Sequence, residues 1–230
     1  MLRALALAAL SAILMTLAVP NELFLHGLAP LGFFALAPLY LAILELKGPK
    51  SAALVTGLFG ALQHAMTSFW LWNFHDFRFW TLGSTTFAYF IVYSVLGLYL
   101  WLFLCRSGRA RPLAFIVLWT CFEYLKSSGF LGYPWGLIPY ALTDALPLLQ
   151  IVDITGIYGV TAVLAACNAA IAELSLAGRA ELPARAKLNW LAVAAILVLG
   201  SLGYGLAKLG TPIPRVGSVD AVLVQQNTDP

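Results

Sequence analysis

The amino-acid sequence predicts an all-α polytopic membrane protein with about seven transmembrane helices. Of its residues, 61% are hydrophobic and only 10% are charged, whereas soluble domains average roughly 45–50% apolar and about 25% charged residues. The mean hydropathy of +0.88 comes from apolar runs that recur along 230 residues with short polar breaks. A soluble core cannot absorb this imbalance, so the runs are interpreted as membrane helices.

The predicted spans are apolar runs bounded by Pro, Gly, Asn or basic residues. They cover residues 2–18, 28–46, 52–72, 85–104, 113–125, 157–176 and 188–206. The first run resembles a signal peptide but lacks a small-x-small cleavage site, so an uncleaved helix is predicted. The fifth is the weakest span, because Glu123 and Lys126 interrupt it.

The distribution of basic residues predicts the orientation of these spans, because Lys and Arg accumulate in cytoplasmic loops. With a cytoplasmic N-terminus, nine basic residues lie inside: Arg3, Lys47, Lys50, Arg106, Arg109, Arg111, Arg179, Arg185 and Lys187. Four lie outside: Arg78, Lys126, Lys208 and Arg215. The bias predicts a multi-pass protein of a bacterial inner membrane with its C-terminal tail in the periplasm.

The last residues have a different composition from the rest. Residues 1–209 are predicted to form the transmembrane domain, and residues 210–230 a linker with Pro212 and Pro214 followed by a strand. The run 219–224 is mostly apolar, rich in β-branched residues and too short to span as a helix. A lone strand has no partners for its backbone groups, so this tail is expected to be the stub of a further α/β domain.

The richest polar segment follows the fifth span. Glu123 and Lys126 are three residues apart, so they share a helix face and are expected to pair near the membrane surface. Gly129, Gly132, Pro134 and Gly136 then end the helix, and Phe130, Tyr133, Trp135 and Tyr140 are aromatic residues suited to the headgroup region. The pattern predicts an interfacial re-entrant loop. It fits either a lipid site or an aromatic belt with a local ion pair.

A second cluster ends the third span. His75, Asp76 and Arg78 alternate with aromatic residues, including Trp70, Trp72 and Trp80. Arg78 between aromatic walls is suited to a phosphate group, although belt residues with solvated charges give the same pattern. The candidate lipid-binding residues are therefore Trp70, Trp72, Arg78, Glu123, Lys126, Tyr133 and Trp135.

Three polar residues fall inside predicted spans: His64, Asn168 and Glu173. Such residues usually face the bundle interior, and they support an alternative function, a small transporter or channel whose path they would line. Cys105, Cys121 and Cys167 have no CxxC spacing and are expected to be small buried apolar residues. No metal site or cofactor is predicted, and a net charge of +3 is too small to indicate nucleic-acid binding.

The GxSxG, Walker, GxGxxG and HExxH signatures are absent. The order of motifs nevertheless resembles the membrane half of bacterial apolipoprotein N-acyltransferases. The resemblance is strongest over residues 119–168, and the tail 221–227 resembles the entry into that family's periplasmic nitrilase-like domain. Its motifs are Trp119, Glu123-Tyr-Leu-Lys126, Gly129-Phe130, Gly132-Tyr-Pro-Trp135, Tyr140, Pro147-Leu-Leu-Gln150, Asp153, Gly156-Ile-Tyr-Gly159 and Asn168.

The resemblance implies transfer of an acyl chain from a phospholipid donor to the N-terminal cysteine amine of a diacylated lipoprotein. In that family a cysteine nucleophile, a glutamate base and a lysine lie in the nitrilase-like domain, so no residue of this chain is assigned a catalytic role. The chain is expected to be a fragment that is inactive alone. A noncatalytic membrane protein that assembles with a separately encoded soluble domain is a further alternative.

Overall fold

The computed structural model describes residues 1–21, 23–73, 78–129, 132–176, 182–212, 217 and 220–224. These residues form helices and turns, and no strand is present among them. The α-helices are α1 (Leu2–Ala18), α2 (Ala29–Gly32), α3 (Ala37–Glu45), α4 (Pro49–Thr67), α5 (Arg78–Arg106), α6 (Arg111–Ser127), α7 (Leu146–Leu149), α8 (Val152–Thr155), α9 (Ile157–Ser175) and α10 (Ala184–Leu209). The all-α prediction is therefore confirmed for the described part of the chain.

Most predicted spans correspond to one helix each. The first coincides with α1, and α5 and α10 are longer than predicted because each extends beyond its predicted run at both ends. Three helices of the described segments, α5, α9 and α10, are long and apolar enough to cross a membrane. The count of seven spans stays a prediction, because the other helices are shorter or less apolar.

The second predicted span is broken rather than continuous. It forms α2 and α3, joined by a turn over residues 33–36. Pro38 lacks the amide hydrogen that a continuous helix would need. Asn168 compensates for the break: its Oδ1 accepts hydrogen bonds from the amides of Leu36 (2.6 Å) and Ala37 (3.1 Å), and its Nδ2 donates to the carbonyl of Gly32 (2.8 Å).

Helix α4 packs along α5 through small residues. A Cβ atom at Gly97 would lie 2.6 Å from the carbonyl oxygen of Ala52, so only glycine allows the two backbones this approach. Around this contact the core contains large buried side chains, with Phe59, Tyr93 and Trp119 in mutual aromatic contact. These residues form the wall behind the candidate site.

We call the end of the bundle that contains Arg3 the basic end, and the end that contains the loop after α6 the loop end. At the basic end, Arg3 pairs with Glu45 at 3.1 Å, which brings the start of α1 to the end of α3. At the loop end, the hydroxyl groups of Ser127 and Tyr158 lie 2.8 Å apart and join the end of α6 to the start of α9. Since Lys208 bonds Asp153 of α8, the last turn of α10 also lies at the loop end.

One expectation about apolar residues needs correction, and another stays a prediction. Cys167 is buried as predicted, but Cys105 and Cys121 are exposed, because they lie on the outward faces of α5 and α6. The predicted strand 219–224 is absent among the described residues 220–224, which have no regular structure. Val222, Leu223 and Val224 are 85–98% exposed, as expected for a short apolar run without neighbouring strands.

Candidate functional site

Helix α6 carries two buried polar side chains into the loop end. Glu123 and Lys126 are 1% and 9% exposed. Their three-residue spacing puts both on one face of the helix, as the sequence predicted, and in the structure this face turns inward. Buried charged groups need partners, since an unpaired one is strongly destabilising, and the partners of these two define the site.

The Glu123 carboxylate joins three separate elements. Its Oε1 accepts hydrogen bonds from the Ile138 amide (2.9 Å) and from Trp119 Nε1 (3.3 Å). Its Oε2 accepts a hydrogen bond from the Thr161 hydroxyl at 2.6 Å. Glu123 thereby holds α6, α9 and the short 3₁₀ helix Ile138–Leu142 together.

Lys126 does not pair with Glu123, so the predicted ion pair is wrong. Its Nζ donates to the carbonyl oxygen of Trp135 at 3.1 Å and lies 5.6 Å from the centre of the Tyr89 ring. The physical reason is that amide, indole and hydroxyl donors already bind the Glu123 carboxylate. The Lys126 ammonium group instead holds the loop in place by binding a backbone carbonyl of the loop.

The loop that follows α6 returns into the bundle, as the glycine and proline pattern predicted. Ile138 is fully buried, and residues Ile138–Leu142 form a 3₁₀ helix inside the core. Tyr133 and Trp135 fix the outer part of the loop against α4. The Tyr133 hydroxyl lies 3.2 Å from Ser68 Oγ, and Trp135 Nε1 donates to the carbonyl of Thr67 at 3.1 Å. Burial raises the pKa of Tyr133, and the hydrogen bond with Ser68 acts in the opposite direction.

The two aromatic clusters predicted separately meet at this loop. Trp70 lies in the 3₁₀ helix Phe69–Asn73, and its ring centre is 5.5 Å from that of Trp135. Trp72 and Arg78 instead contact each other, with the guanidinium carbon 5.8 Å from the Trp72 ring centre. Four of the seven candidate residues, Trp70, Lys126, Tyr133 and Trp135, therefore form one cluster. Glu123 binds the 3₁₀ helix that follows the loop, and Trp72 and Arg78 form an exposed pair. His75 and Asp76 lie outside the described residues.

Sequence reasoning missed the contribution of α5 and α4. Tyr89 stacks on His64 with ring centres 4.0 Å apart, and its hydroxyl donates to the carbonyl of Tyr133 at 3.4 Å. His64 faces the bundle interior, as expected for a polar residue inside a span, and its Nδ1 lies 3.5 Å from Ser68 Oγ. Its buried Nε2 has no hydrogen-bond partner among the described residues. The sequence did contain a signal for this contribution, because Tyr89 is an aromatic residue with a polar hydroxyl group inside an apolar run.

A small pocket opens beside Trp135. It has a volume of about 190 Å³ and is lined by the residues that follow α1, by the end of α4 and by the loop with its 3₁₀ helix, including Val19, Thr67, Trp135 and Tyr140. Ligand sites commonly measure about 300–1,000 Å³, so this pocket is sized for part of an apolar chain rather than for a whole lipid. In the described ranges, no three metal-ligating side chains cluster.

Two of the three polar residues of the transporter alternative, Glu173 and Asn168, are bound within the fold. Arg111 binds Glu173 through two hydrogen bonds of 2.5 and 2.6 Å, and the Tyr40 hydroxyl donates to the same carboxylate. Asn168 clamps the break between α2 and α3, as described above. Both residues are fully buried, and their contacts explain their presence inside apolar helices without a transport path.

Comparisons of this chain with a family model and with individual relatives identify the same family. The family model for the apolipoprotein N-acyltransferase N-terminal domain matches residues 11–170. Apolipoprotein N-acyltransferase 2 of Treponema pallidum is 39% identical over 227 residues, covering 96% of this chain and 40% of the relative. The enzyme of the same name in Treponema denticola is 35% identical, covering 96% and 43% of the two chains. Apolipoprotein N-acyltransferase of Borreliella burgdorferi is 32% identical, covering 99% and 43%.

Proposed function

This chain belongs to the apolipoprotein N-acyltransferase family, and we propose that it is the membrane-embedded part of such an enzyme. The enzyme would transfer an acyl chain from a phospholipid to the N-terminal cysteine amine of a diacylated lipoprotein. The match over residues 11–170 is the observation that carries this proposal. The chain spans 40–43% of the length of the three relatives described above, so the catalytic chemistry is assigned to a nitrilase-like domain outside it.

The arrangement of the loop end supports a role in lipid access. The last turn of α10, which leads towards the C-terminus, bonds Asp153 at the loop end through Lys208. A domain that follows α10 would therefore start on the same side of the bundle as the aromatic cluster. By the basic-residue bias, this side is periplasmic and the N-terminus is cytoplasmic, in a seven-span arrangement within the bacterial inner membrane.

The candidate residues divide into two roles in this proposal. Trp70, Tyr133 and Trp135 offer apolar faces beside the small pocket, where an acyl chain would lie. Glu123 and Lys126 hold the loop in place from the interior of the bundle. The exposed pair of Trp72 and Arg78 offers a cation on an aromatic surface, which suits a phospholipid phosphate or the diacylated lipoprotein entering from the membrane.

The test is a lipoprotein N-acylation assay. A diacylated peptide and phospholipid are incubated in detergent micelles with this chain or with a version extended by the family's catalytic domain, and the peptide mass is measured. We expect the acyl mass shift only with the extended version. A shift with neither version would contradict the proposal, and a shift with the short chain would show that the catalytic site lies within it.

The lipid-access role is tested separately in the extended version. Arg78→Ala and Trp135→Ala are expected to reduce the acylation rate at limiting phospholipid concentration. Cys105→Ala is the matched control, because Cys105 is exposed on α5 away from the loop. Equal rates for all three variants would contradict the lipid-access role while leaving the assignment of the enzyme intact.

A further inference from the structure

A second apolar depression lies in the groove between α9 and α10, apart from the loop-end site. Its volume is about 360 Å³, and all of its lining residues are apolar, among them Phe33, Cys167, Ala170, Leu191, Ala194 and Val198. Helix α10 meets α9 mainly through small residues, and only four of its residues are buried. The groove is therefore an apolar surface beside a helix–helix contact that buries few residues of α10.

The groove is flanked by positive charge at the basic end of the bundle. Trp190, which directly precedes the groove residue Leu191, donates from Nε1 to the carbonyl oxygen of Arg109 at 3.0 Å. Arg185 precedes Leu191 by six residues, which is about 9 Å along a helix and about 120° around it, so Arg185 lies beside the groove face rather than on it. Both arginines are exposed, and neither has an ion-pair partner in the part of the chain that the structure describes.

The nearby buried acid does not neutralise these two arginines. Glu173 is bound by Arg111 and Tyr40. Lys187 lies one helical turn before Leu191 and donates to the carbonyl of Leu176 at 2.7 Å, which joins the start of α10 to the end of α9. Residues 177–181, with Arg179 and Glu181, lie outside the described residues. An apolar groove that ends beside exposed arginines matches a molecule with an apolar chain and an anionic head.

We propose that this groove holds one acyl chain of an anionic phospholipid whose phosphate binds Arg109 and Arg185. The apolar walls exclude water and favour a hydrocarbon chain, because an empty groove forfeits packing contacts. The guanidinium groups select an anionic over a zwitterionic headgroup, since arginine binds phosphate through paired hydrogen bonds. The groove lies along the middle of α9 and α10, and its two arginines lie at the opposite end of the bundle from the loop. The site does not depend on the proposed enzyme activity.

The test is lipid retention by the purified chain. The protein is equilibrated in detergent with equal amounts of phosphatidylglycerol and phosphatidylcholine, and bound lipids are counted by native mass spectrometry. We expect one phosphatidylglycerol to be retained in preference to phosphatidylcholine. The double change Arg109→Gln and Arg185→Gln is expected to weaken phosphatidylglycerol binding roughly 25-fold, about fivefold for each charge near a membrane surface. Lys50→Gln is the charge control, because α4 starts at the same end but packs against α1 and α5.

Filling the groove gives an independent variant. Ala195 lines the groove and Ala192 does not, although both are exposed on α10. Ala195→Phe is expected to abolish retention of phosphatidylglycerol, whereas Ala192→Phe is not. Equal retention of the two lipids, or equal effects of the two phenylalanine variants, would overturn the proposal. A dimer that Ala195→Phe disrupts would also overturn it, by identifying a second copy as the occupant. If Ala195→Phe fails to fold, the exposed arginine variants decide the question.

Discussion

Two buried glutamates, one near each end of the bundle, are stabilised in different ways. Glu173, near the basic end, is fully buried and faces the Arg111 guanidinium through two hydrogen bonds. Glu123, near the loop end, is 1% exposed and accepts hydrogen bonds from an amide, an indole and a hydroxyl group. A cation binds the Glu173 carboxylate directly, whereas neutral dipoles bind the Glu123 carboxylate and the nearby Lys126 charge acts on it only from beyond ion-pair distance.

The two carboxylates are therefore expected to respond differently to substitution. A buried ion pair loses most when only one partner is removed, because the remaining charge stays in a low-dielectric interior. A carboxylate held by neutral donors can be replaced by an amide of the same shape with a smaller loss. The basic end is therefore expected to tolerate single changes poorly, and the loop end to tolerate conservative ones.

The largest effect is expected for Arg111→Met. This change leaves Glu173 buried without its cation and should lower the free energy of unfolding by about 3–5 kcal/mol. Denaturant-induced loss of helicity in detergent micelles measures it. The double change of Arg111→Met and Glu173→Leu removes both charges and is expected to recover most of the loss. A double variant as unstable as the single one would show that packing, rather than charge, dominates at this end.

A pair of changes at Glu123 comes next. Glu123→Ala leaves the buried donors of Ile138 and Thr161 unsatisfied, and we expect a loss of about 2–3 kcal/mol. In Glu123→Gln the amide oxygen can accept from Ile138 while the amide nitrogen donates to the Thr161 hydroxyl, so the expected loss is about 1 kcal/mol. The same unfolding measurement compares the two variants. Equal losses would mean that Glu123 acts through its charge and would remove the contrast with Glu173.

A smaller effect is expected for Trp135→Phe. The aromatic face remains against Trp70, but the hydrogen bond to the Thr67 carbonyl is lost, at a cost of about 1 kcal/mol. Thr143→Val, which changes another residue lining the pocket, is the control for polarity at the pocket wall. Thermal unfolding monitored by tryptophan fluorescence resolves the variants. A Trp135→Phe protein of unchanged stability would mean that the indole N–H does not hold the loop.

The smallest effect is a pH dependence at the exposed contact between α8 and α10. Hydrogen bonds from Lys208 and Tyr204 lower the pKa of Asp153 in the folded protein. Its contribution to stability is therefore complete above the unfolded pKa of about 4 and declines as the pH falls through the lower folded value. The difference in melting temperature between wild type and Asp153→Asn should be constant from neutral pH to about pH 5 and vanish in stronger acid. A difference that instead disappears above pH 5 contradicts this assignment.

The parts of the site that are local in sequence could be predicted. Glu123, Lys126, Tyr133 and Trp135 lie within one helix and the loop that follows it, so helix spacing and the glycine and proline pattern brought them together. The contact of Trp135 with Trp70 was not predictable, because it joins segments 65 residues apart. Tyr89 was missed for the same reason, since a single apolar run does not indicate which face turns inward.

The long-range contacts at the basic end were only partly accessible. The charge bias placed Arg111 on the cytoplasmic side, and Glu173 lies near that end of its span, yet their pairing across 62 residues needed the structure. The break at residues 33–36 was missed, because Pro30 and Pro38 within an apolar run are also compatible with a kinked continuous helix. The contacts of Asn168 identify the break.

The Asn168 clamp has a consequence for the order in which the chain is assembled. The amide of Leu36 is satisfied by a side chain 132 residues further along the sequence. At a synthesis rate of about 5–20 residues per second, Asn168 emerges roughly 7–26 s after Leu36. During that interval the α2–α3 turn has buried amides without their final acceptor. The second segment therefore completes its fold only after α9 has entered the membrane, which makes it a late-maturing part of a nascent chain whose N-terminal helix is made first.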